Sequence, residues 1–333
     1  MKTSGKTPTR MSDPEVSIIM PAYNAGKFIR ASIQSILDQS YTNFELIISD
    51  DNSTDDTLEI AESFGDSRIR IIRNSSRGGI VINRNRALEH AYGDFIAPFD
   101  ADDIAHPEKF SRQIAFMHKN PHIGLLGTWA RLIDQDGQPM RTRWKLNATS
   151  KRIPPILLFR NYFVHSSLLI RRNAWPSGRY REDHELVEDY DMVLDVAEHH
   201  AVWNYPSYLT HYRIHSGSAT QQIHAPLQQY DKLIFNRLMN QLQIDTSEED
   251  FLLWYGLKRN EQPLVEEPLH KTAAFLDRIY QQNREINRYQ TMILARELFN
   301  RWLKSVYLFR HLSRRESITF ISQVTAKFWS RTF

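Results

Sequence analysis

Carboxylates cluster at three places in this sequence, and the first place could bind a metal ion. Asp100 and Asp102 stand one residue apart, directly after the apolar run 95–99. Two carboxylates so close to a buried strand are costly unless a cation stabilises them. Carboxylate oxygens suit Mg²⁺ or Mn²⁺, which take phosphate oxygens of a substrate as further ligands. The same spacing also occurs in turns and helix caps, but the position after a strand favours the metal site.

The second cluster, residues 50–55, also follows an apolar run. One interpretation is a solvated turn in which Ser53 and Thr54 cap a helix, with acidic residues in the first turn. Asp51 could in addition accept a hydrogen bond from the imide N–H of a ligand, and Tyr23 offers a ring that could stack on a base. Arg84 could contact the base or its phosphates.

The third cluster contains Glu188, Asp189 and Asp191. One interpretation is the start of a helix, where the helix dipole favours negative charge. The other is a general base, because a carboxylate within hydrogen-bond reach can remove the proton of a hydroxyl group. Asp189 is flanked by Glu188 and Asp191, and like charges nearby raise the pKa of a carboxylate and make it a better base. Both interpretations stay open at this point.

The segments around these clusters predict an α/β fold. Four strand-length apolar runs alternate with stretches in which apolar residues recur every three or four positions, which is helical spacing. The apolar runs are 16–20, 44–48, 69–72 and 95–99, and the helical stretches are 27–39, 54–64 and 82–91. This alternation predicts a mainly parallel, Rossmann-like sheet with helices on both faces. Such sheets bind ligands beyond the carboxyl ends of their strands, where the first two clusters lie.

The composition and the lack of certain motifs disfavour several classes of protein and of binding site. The chain has 333 residues, of which 41% are hydrophobic, and its net charge is +3, as in ordinary globular proteins. No cysteine is present, which excludes disulfides, thiolate metal sites and cysteine nucleophiles. Neither GxGxxG nor GxxxxGK[ST] follows the first strand, so dinucleotide binding and P-loop ATP hydrolysis lose their usual support. No apolar run approaches the roughly 20 residues that cross a bilayer.

Two further segments carry weaker signals. The loop 73–79 contains Gly78 and Gly79 and could be mobile. His165, Ser166 and Ser167 precede an apolar run and could line an acceptor pocket, although a hairpin turn would give the same pattern.

The order of these motifs resembles that of the family 2 glycosyltransferases, which have the GT-A fold. The similar segments are 20–24 (Met-Pro-Ala-Tyr-Asn), 50–55, 84–85 (Arg-Asn), 93–94 (Gly-Asp), 100–103, 188–191 and 212–215 (Tyr-Arg-Ile-His). They cover roughly residues 15–220, about two thirds of the chain. Several motifs in this order are far more specific than any one of them alone.

The resemblance implies a role for each motif. The nucleotide site would consist of Pro21, Tyr23, Asp51, Arg84, Asp100, Ala101 and Asp102. Tyr23, Asp51 and Arg84 would hold the nucleobase, usually uracil, and Asp100 would bind the ribose or help the metal. Asp102 would coordinate Mn²⁺ or Mg²⁺, and His215 would lie near the metal or the diphosphate. Asp189, next to Glu188, would be the catalytic base.

The resemblance also implies an activity. The protein would be an inverting glycosyltransferase that moves a sugar from a nucleotide-diphosphate sugar, typically a UDP-sugar, to a hydroxyl of a saccharide or lipid-linked saccharide. This activity would serve the synthesis of a cell-surface polysaccharide such as lipopolysaccharide or capsule.

Two other functions remain open at this stage. A sugar nucleotidyltransferase is disfavoured because the loop after the first strand lacks a glycine-rich, basic segment for a triphosphate. A catalytically inactive scaffold is disfavoured because both Asp102 and Asp189 are present.

The sequence predicts three regions: a disordered tail (1–14), the GT-A domain (15–220) and a helical C-terminal region (221–333). From Arg284 onward there are ten basic and three acidic residues, interleaved with aromatic ones. This pattern suits a helix on an anionic membrane surface, although the aromatic residues could equally pack onto the catalytic domain. Nucleic-acid binding is disfavoured because no recognition motif accompanies the charge. We expect a cytoplasmic protein, peripheral on the inner membrane if this region binds lipid.

Overall fold

The computed structural model describes residues 13–217, 227–261, 263, 265 and 267–308. The chain divides into two compact units. The first consists of Met1–Asn147 and Tyr162–Gln222, and the second of Ala148–Asn161 and Ile223–Phe333. Residues 148–161, which the sequence interpretation placed in the GT-A domain, therefore group with the C-terminal helices. Nearly all of the expected N-terminal tail, and the basic segment after residue 308, lie outside the described residues.

The first unit is built on a nine-stranded sheet. Its strands are β1 (Val16–Ala22), β2 (Phe44–Asp50), β3 (Ile69–Arg73), β4 (Phe95–Pro98), β5 (Ile104–Ala105), β6 (Ile123–Ile133), β7 (Pro139–Trp144), β8 (Leu169–Arg171) and β9 (Ala201–Arg213). The strand order is β3-β2-β1-β4-β8-β6-β9-β5, and β7 pairs with β6.

The sheet is parallel in one half and mixed in the other. Strands β1 to β4 pair in parallel, whereas β8 runs antiparallel to both of its neighbours, β4 and β6. Parallel pairing requires a crossover long enough to return the chain, and a helix supplies it between each of the first four strands. The predicted parallel sheet therefore describes the first four strands, and the later strands form mainly antiparallel pairs.

Ten α-helices lie within the described residues. They are α1 (Gly26–Leu37), α2 (Thr57–Glu62), α3 (Ile80–Glu89), α4 (Lys109–Lys119), α5 (Ile153–Leu157), α6 (Glu188–His199), α7 (Leu227–Gln241), α8 (Glu248–Arg259), α9 (Pro268–Ile286) and α10 (Thr291–Leu308). Among the described residues, none of these helices has the length and apolar character needed to cross a membrane.

The core of the first unit explains why β1 is apolar throughout. Ile29 and Ile33, which are four residues apart on α1, belong to the same buried cluster as Ile18 and Met20 of β1. The alternate residue Ile19 is also fully buried, and α3 contacts both β1 and β2. Both faces of the strand are thus covered, which is why all seven of its residues are buried.

The parallel strands bring the motif residues to one edge of the sheet. Ala22, the last residue of β1, pairs with Asp50, the last residue of β2. The backbone N–H of Phe99, just after β4, donates to the carbonyl of Ile19 in β1. The residues that follow these strand ends therefore lie at the carboxyl edge, as the sequence predicted.

The second unit contains α5 and the helices α7 to α10. The indole N–H of Trp254 in α8 donates to the carbonyl of Leu158 at 2.7 Å. The guanidinium of Arg301 in α10 lies 5.0 Å from the centre of the Phe159 ring. These buried contacts explain why residues 148–161 group with helices more than ninety positions later in the chain. The predicted helical C-terminal region is confirmed.

Candidate functional site

The side chains expected at the nucleobase lie at the ends of β1 and β2, and a loop already contacts them. The Arg77 guanidinium lies 4.1 Å from the centre of the Tyr23 ring and covers one of its faces. Asp51 is buried, and its two carboxylate oxygens accept the N–H groups of Gly78 and Gly79, both at 2.9 Å. Nη1 of Arg86 also lies 3.9 Å from Oδ1 of Asp51. Asp51 thus anchors the glycine-containing loop.

The turn after β2 corrects one detail of the sequence interpretation. Ser53 and Thr54 do not cap α2: Ser53 donates to Asp50, and the N–H of Thr54 donates to the Asn24 side chain. The carboxylate of Asp55 instead accepts the N–H of Thr57, the first residue of α2, at 3.0 Å. The helix begins two residues later than a cap at Thr54 would allow, because Ser53 and Thr54 are used to close the turn itself.

Arg84 lies between two of the acidic clusters. It is 6% exposed, and its Nη2 donates to Oδ1 of Asp100 at 2.9 Å. Its Nη1 pairs with Oε1 of Glu188, the first residue of α6. Burial favours a raised pKa for Asp100, but the charge of Arg84 and the contact with His165 outweigh burial and hold this pKa below its ordinary value. Asp100 is therefore a stable carboxylate.

The structure brings Asp102 and His215 together although 113 positions separate them in sequence. Nε2 of His215 lies 2.8 Å from Oδ2 of Asp102, and the Phe28 ring packs against the imidazole with centres 4.4 Å apart. Arg213 donates from Nε to the carbonyl of Asp102 at 2.7 Å and so fixes the backbone of this segment. Ala101, between the two aspartates, is buried.

The carboxylate of Asp102 and the imidazole of His215 fit a divalent ion whose remaining ligands come from water and the substrate. Among the described residues, no group of three or more histidine and carboxylate side chains is arranged to enclose a metal. Mg²⁺ commonly takes only one or two protein ligands and fills its other positions with water and phosphate oxygens. One carboxylate and one imidazole at hydrogen-bond distance are compatible with such a site, but they do not form a complete protein cage.

Glu188 and Asp189 stand in the first turn of α6, so the helix-start interpretation of this cluster is confirmed. Burial raises the pKa of Asp189 and Glu188 raises it further, while His165 and Arg84 act in the opposite direction. Oε2 of Glu188 is buried and has no hydrogen-bond partner within the described part of the chain. The arrangement supplies a partly buried carboxylate that binds a proton more readily than an ordinary aspartate.

Comparisons with known proteins identify the family. Residues 17–175 match the family described as Glycosyl transferase family 2. An uncharacterized glycosyltransferase of Haemophilus influenzae is 33% identical over 222 residues, which cover 63% of this chain and 68% of that protein. The chain belongs to glycosyl transferase family 2.

Two further comparisons place this family 2 member among better described proteins. The UDP-Glc:alpha-D-GlcNAc-diphosphoundecaprenol beta-1,3-glucosyltransferase WfgD of Escherichia coli is 48% identical over 110 residues, covering 33% of this chain and 44% of WfgD. The match thus spans less than half of that relative. The crystal structure of S. aureus TarS 1–349 in complex with UDP-GlcNAc gives a TM-score of 0.61 at 17% identity, covering 87% of this chain and 90% of TarS. This likeness concerns the fold alone, and the predicted GT-A fold is confirmed.

Two buried groups lie beside the Asp100–Asp102 segment of this family 2 glycosyltransferase: Asp103, which the sequence analysis counted only as part of the 100–103 segment, and Lys109, which it did not single out. Asp103 is fully buried, and burial together with the charges of Asp102 and Asp100 raises its pKa well above the ordinary value. Lys109 is also fully buried; desolvation lowers its pKa to about 7 although the charge of Asp103 opposes this shift. Its Nζ donates to the carbonyl of Ser166 at 2.7 Å. Lysine is usually exposed, so nothing in the local sequence marks this one.

The serines after His165 do not line a pocket. Ser166 and Ser167 are fully buried, and their hydroxyls accept the backbone N–H groups of Asp100 (3.0 Å) and Thr128 (3.3 Å). The expectation of an acceptor pocket at these two residues is therefore wrong, since their hydroxyls bind the backbone of two neighbouring segments. His165 contacts the site itself, with Nε2 2.9 Å from the Tyr180 hydroxyl and Nδ1 3.7 Å from Oδ1 of Asp100.

Proposed function

We propose that this protein is an inverting glycosyltransferase that transfers a sugar from a nucleotide-diphosphate sugar to a hydroxyl group. One observation carries the proposal: Arg84 joins Asp100, from the segment expected at the donor, to Glu188, which precedes the expected base. Arg84 thus links two segments that are almost ninety positions apart, which supports a common site for the proposed donor and base motifs. The family membership of the chain supports the same activity.

In this proposal Asp189 is the general base. Its carboxylate takes the proton of the acceptor hydroxyl while the hydroxyl oxygen attacks the anomeric carbon. The bond between that carbon and the diphosphate oxygen breaks on the opposite face, so one displacement inverts the anomeric centre. The raised pKa of Asp189 suits this role, because a more basic carboxylate holds the transferred proton better.

The proposed donor is a UDP-sugar. Tyr23 and Asp51 offer a ring and a carboxylate at the carboxyl edge, a combination that suits a nucleobase with an imide N–H. The name of the relative WfgD specifies UDP-Glc, and this relative is 48% identical over the matched 110 residues. A bound Mn²⁺ or Mg²⁺ would be held by Asp102 and His215 and would stabilise the charge on the departing diphosphate as a Lewis acid.

The proposed acceptor is a saccharide, free or lipid-linked, in the synthesis of a cell-surface polysaccharide. The support is again the name of WfgD, which specifies a diphosphoundecaprenol-linked acceptor. A lipid-linked acceptor lies at a membrane surface. The proposal therefore includes contact with an anionic membrane through the C-terminal region.

The deciding experiment is calorimetric titration with UDP, GDP and dTDP, each with and without Mn²⁺. Wild type should bind UDP most tightly and only with Mn²⁺, and Asp102→Ala should weaken this binding at least about tenfold, because the ion loses its carboxylate ligand. The matched control is Asp38→Ala. Asp38 is an exposed carboxylate at the C-terminal end of α1, and this variant should bind UDP as wild type does.

Two results would contradict the proposal. If no nucleotide binds wild type, the chain is a scaffold rather than an enzyme. If UDP binds equally well without Mn²⁺ and to Asp102→Ala, Asp102 has no role in holding a metal.

A further inference from the structure

Three basic side chains lie side by side on the sheet of the first unit, and we call them the basic row. Arg143 of β7 pairs in register with Arg131 of β6, which pairs in turn with His211 of β9. Residues directly opposite each other on neighbouring strands share a face, and like charges in such positions repel one another. Both arginines are exposed, and within residues 13–217 no carboxylate forms an ion pair with either of them. The protein thus keeps an unfavourable concentration of positive charge at this surface.

Aromatic packing holds the two guanidinium groups of the basic row close together. They lie 5.4 Å (Arg131) and 5.7 Å (Arg143) from the centre of the Tyr208 ring, and the face of an aromatic ring attracts cations. The Trp129 ring packs edge-on against Tyr208 with centres 5.2 Å apart, and its indole N–H donates to the carbonyl of Leu146 at 3.2 Å. The two charges are therefore positioned by rings, and their N–H groups can bind an anion.

The pKa of His211 shows that the potential at the basic row is positive. Burial lowers this pKa, and the charges of Arg131 and His106 lower it further. Arg141, two residues before Arg143 on the edge strand β7, adds another exposed guanidinium. Guanidinium groups bind phosphates and carboxylates through two parallel hydrogen bonds, so these anions are the ligand class that fits the row.

The basic row lies on the face of the sheet that also contacts the segment expected at the donor. His211 and Arg213 are two residues apart on β9, so their side chains point to the same face. On that face Arg213 donates from Nε to the carbonyl of Asp102 at 2.7 Å, and from Nη1 to the carbonyl of Asp134, in the turn between β6 and β7, at 3.1 Å. His215, the partner of Asp102, is four residues beyond His211, so at most about 14 Å of chain separates the two histidines. A short oligosaccharide can span this distance.

We propose that the basic row binds a phosphate or a carboxylate group of the saccharide acceptor. This inference rests on the proposed function and deepens it, because it names an acidic saccharide as the class of acceptor. The row would hold the anionic group while a hydroxyl of the same molecule approaches Asp189. The link through Arg213 to Asp102 favours a substrate over a separate partner such as an anionic membrane, because the anion and the reacting hydroxyl then belong to one molecule.

The test is calorimetric titration of wild type and Arg131→Gln/Arg143→Gln with small saccharides at physiological ionic strength. The anionic probes are trigalacturonate and N-acetylglucosamine-1-phosphate, and the neutral probe is maltotriose. Wild type should bind at least one anionic probe, and maltotriose at least about tenfold more weakly. The double variant should bind the anionic probe at least about tenfold more weakly than wild type, because two charge-assisted contacts are lost.

The matched control is Arg70→Gln/Arg112→Gln, which removes the same charge elsewhere on the first unit. Both of these arginines are exposed, and Arg70 also lies over a tyrosine ring, that of Tyr92. The control should bind the anionic probe as wild type does. Thermal unfolding of both double variants should match, since all four substituted side chains are exposed.

Four results would overturn the proposal. The first is that neither anionic probe binds wild type more tightly than maltotriose, and the second is that the double variant binds the anionic probe as wild type does. The third is that inorganic phosphate or phosphatidylglycerol vesicles bind in a way that depends on the two arginines while the saccharides do not, which would replace the acceptor by a bare anion or a lipid headgroup. The fourth is a raised Kd for UDP in the double variant, which would place the row at the donor.

The same titrations separate this inference from the proposed function. If wild type binds no nucleotide, the proposed function fails, whereas binding of the anionic saccharides needs no nucleotide and still decides what the basic row recognises.

Discussion

The pKa of Asp189 is set by neighbours that act in opposite directions. Burial raises it and the adjacent carboxylate of Glu188 raises it further, whereas His165 and Arg84 lower it. The net shift is upward. A general base works only when it is deprotonated, so activity should fall as the pH drops through this pKa. The acid limb of the pH profile should therefore lie above the range of an ordinary aspartate.

Glu188→Gln tests this electrostatic arrangement. The substitution removes one negative charge beside Asp189, which makes the ionised form of Asp189 easier to reach and lowers its pKa. The acid limb of kcat/KM should consequently move to lower pH than in wild type, as measured by UDP release across a pH series. Glu182→Gln, an exposed carboxylate in the preceding turn, is the matched control and should keep the wild-type profile. An acid limb that stays in place in Glu188→Gln would contradict the proposed effect of the Glu188 charge on the pKa of Asp189.

The sequence predicts which residues form the site better than it predicts their partners. Carboxylates that follow apolar strands are visible in the sequence, because strand patterning and residue type are local properties. The partners of Arg84 lie 16 and 104 positions away, and the contact of Asp102 with His215 spans 113 positions. Such pairs depend on how distant elements pack, which no local pattern encodes. The assignment of Arg84 to the base came from the family resemblance, and no local pattern predicts its contacts with Asp100 and Glu188.

At the scale of elements, the loop before α3 depends on a backbone conformation that only glycine adopts easily. Gly79, directly before α3, has φ 88° and ψ 168°, a region essentially restricted to glycine. This conformation lets the N–H groups of Gly78 and Gly79 point at the two oxygens of Asp51. The loop therefore fixes the orientation of Asp51, the carboxylate that we propose for the nucleobase.

Gly79→Ala should disturb both stability and nucleotide binding. A side chain in this region costs about 1 to 3 kcal/mol, and relief of the strain would turn the loop away from Asp51. We expect a loss of this size in the free energy of unfolding and a Kd for UDP raised at least about tenfold. Denaturant unfolding and calorimetric titration measure the two effects.

Gly65→Ala is the control for backbone strain. Gly65 has φ 59° with no atom within 4 Å of an added Cβ, and it lies after α2, away from the Asp51 contact. Its substitution should cost about 1 kcal/mol without changing UDP binding. If Gly79→Ala binds UDP as tightly as Gly65→Ala, the loop has no part in the nucleotide site.

The alternation of strands and helices predicted β1 to β4 and their helices because each shows its own periodicity. The later part of the first unit was harder to predict, since β8 has only three residues and inserts between β4 and β6. The segment 148–161 shows the same limit. Its partners, such as Trp254 for Leu158, lie far along the chain, so its membership of the second unit has no local signal.

At the scale of the whole molecule, α10 is apolar on two faces. The buried apolar side chains of this helix are Leu294, Ala295, Leu298 and Trp302. The large exposed side chains on the helix are Met292 (55% exposed), Leu303 (41%) and Tyr307 (61%). Trp302 is thus a core residue, so this C-terminal aromatic side chain packs within the protein. The exposed row, Met292–Leu303–Tyr307, recurs at spacings of eleven and four residues and forms one stripe along the helix.

The basic residues of α10 indicate which partner its exposed apolar stripe would contact. Arg296 and Lys304 are exposed on the same helix, and the chain from Arg284 onward has ten basic and three acidic residues. The basic residues after residue 308 lie outside the described residues. Basic side chains beside exposed apolar ones suit an anionic bilayer, where the charges meet lipid headgroups and the apolar groups enter the interface. An anionic membrane surface is therefore the partner we propose for α10.

Leu303→Glu combined with Tyr307→Glu tests this contact in the full chain. The two substitutions place negative charge where apolar side chains would enter an anionic surface, so binding to phosphatidylglycerol-containing vesicles should weaken at least about tenfold in a sedimentation assay. Met140→Glu, at another exposed methionine, is the matched control and should bind as wild type does. Wild type should not bind vesicles of phosphatidylcholine alone. Vesicle binding by the double variant at the wild-type level would exclude the stripe as the membrane contact, and loss of self-association instead would identify a second copy of the chain as its occupant.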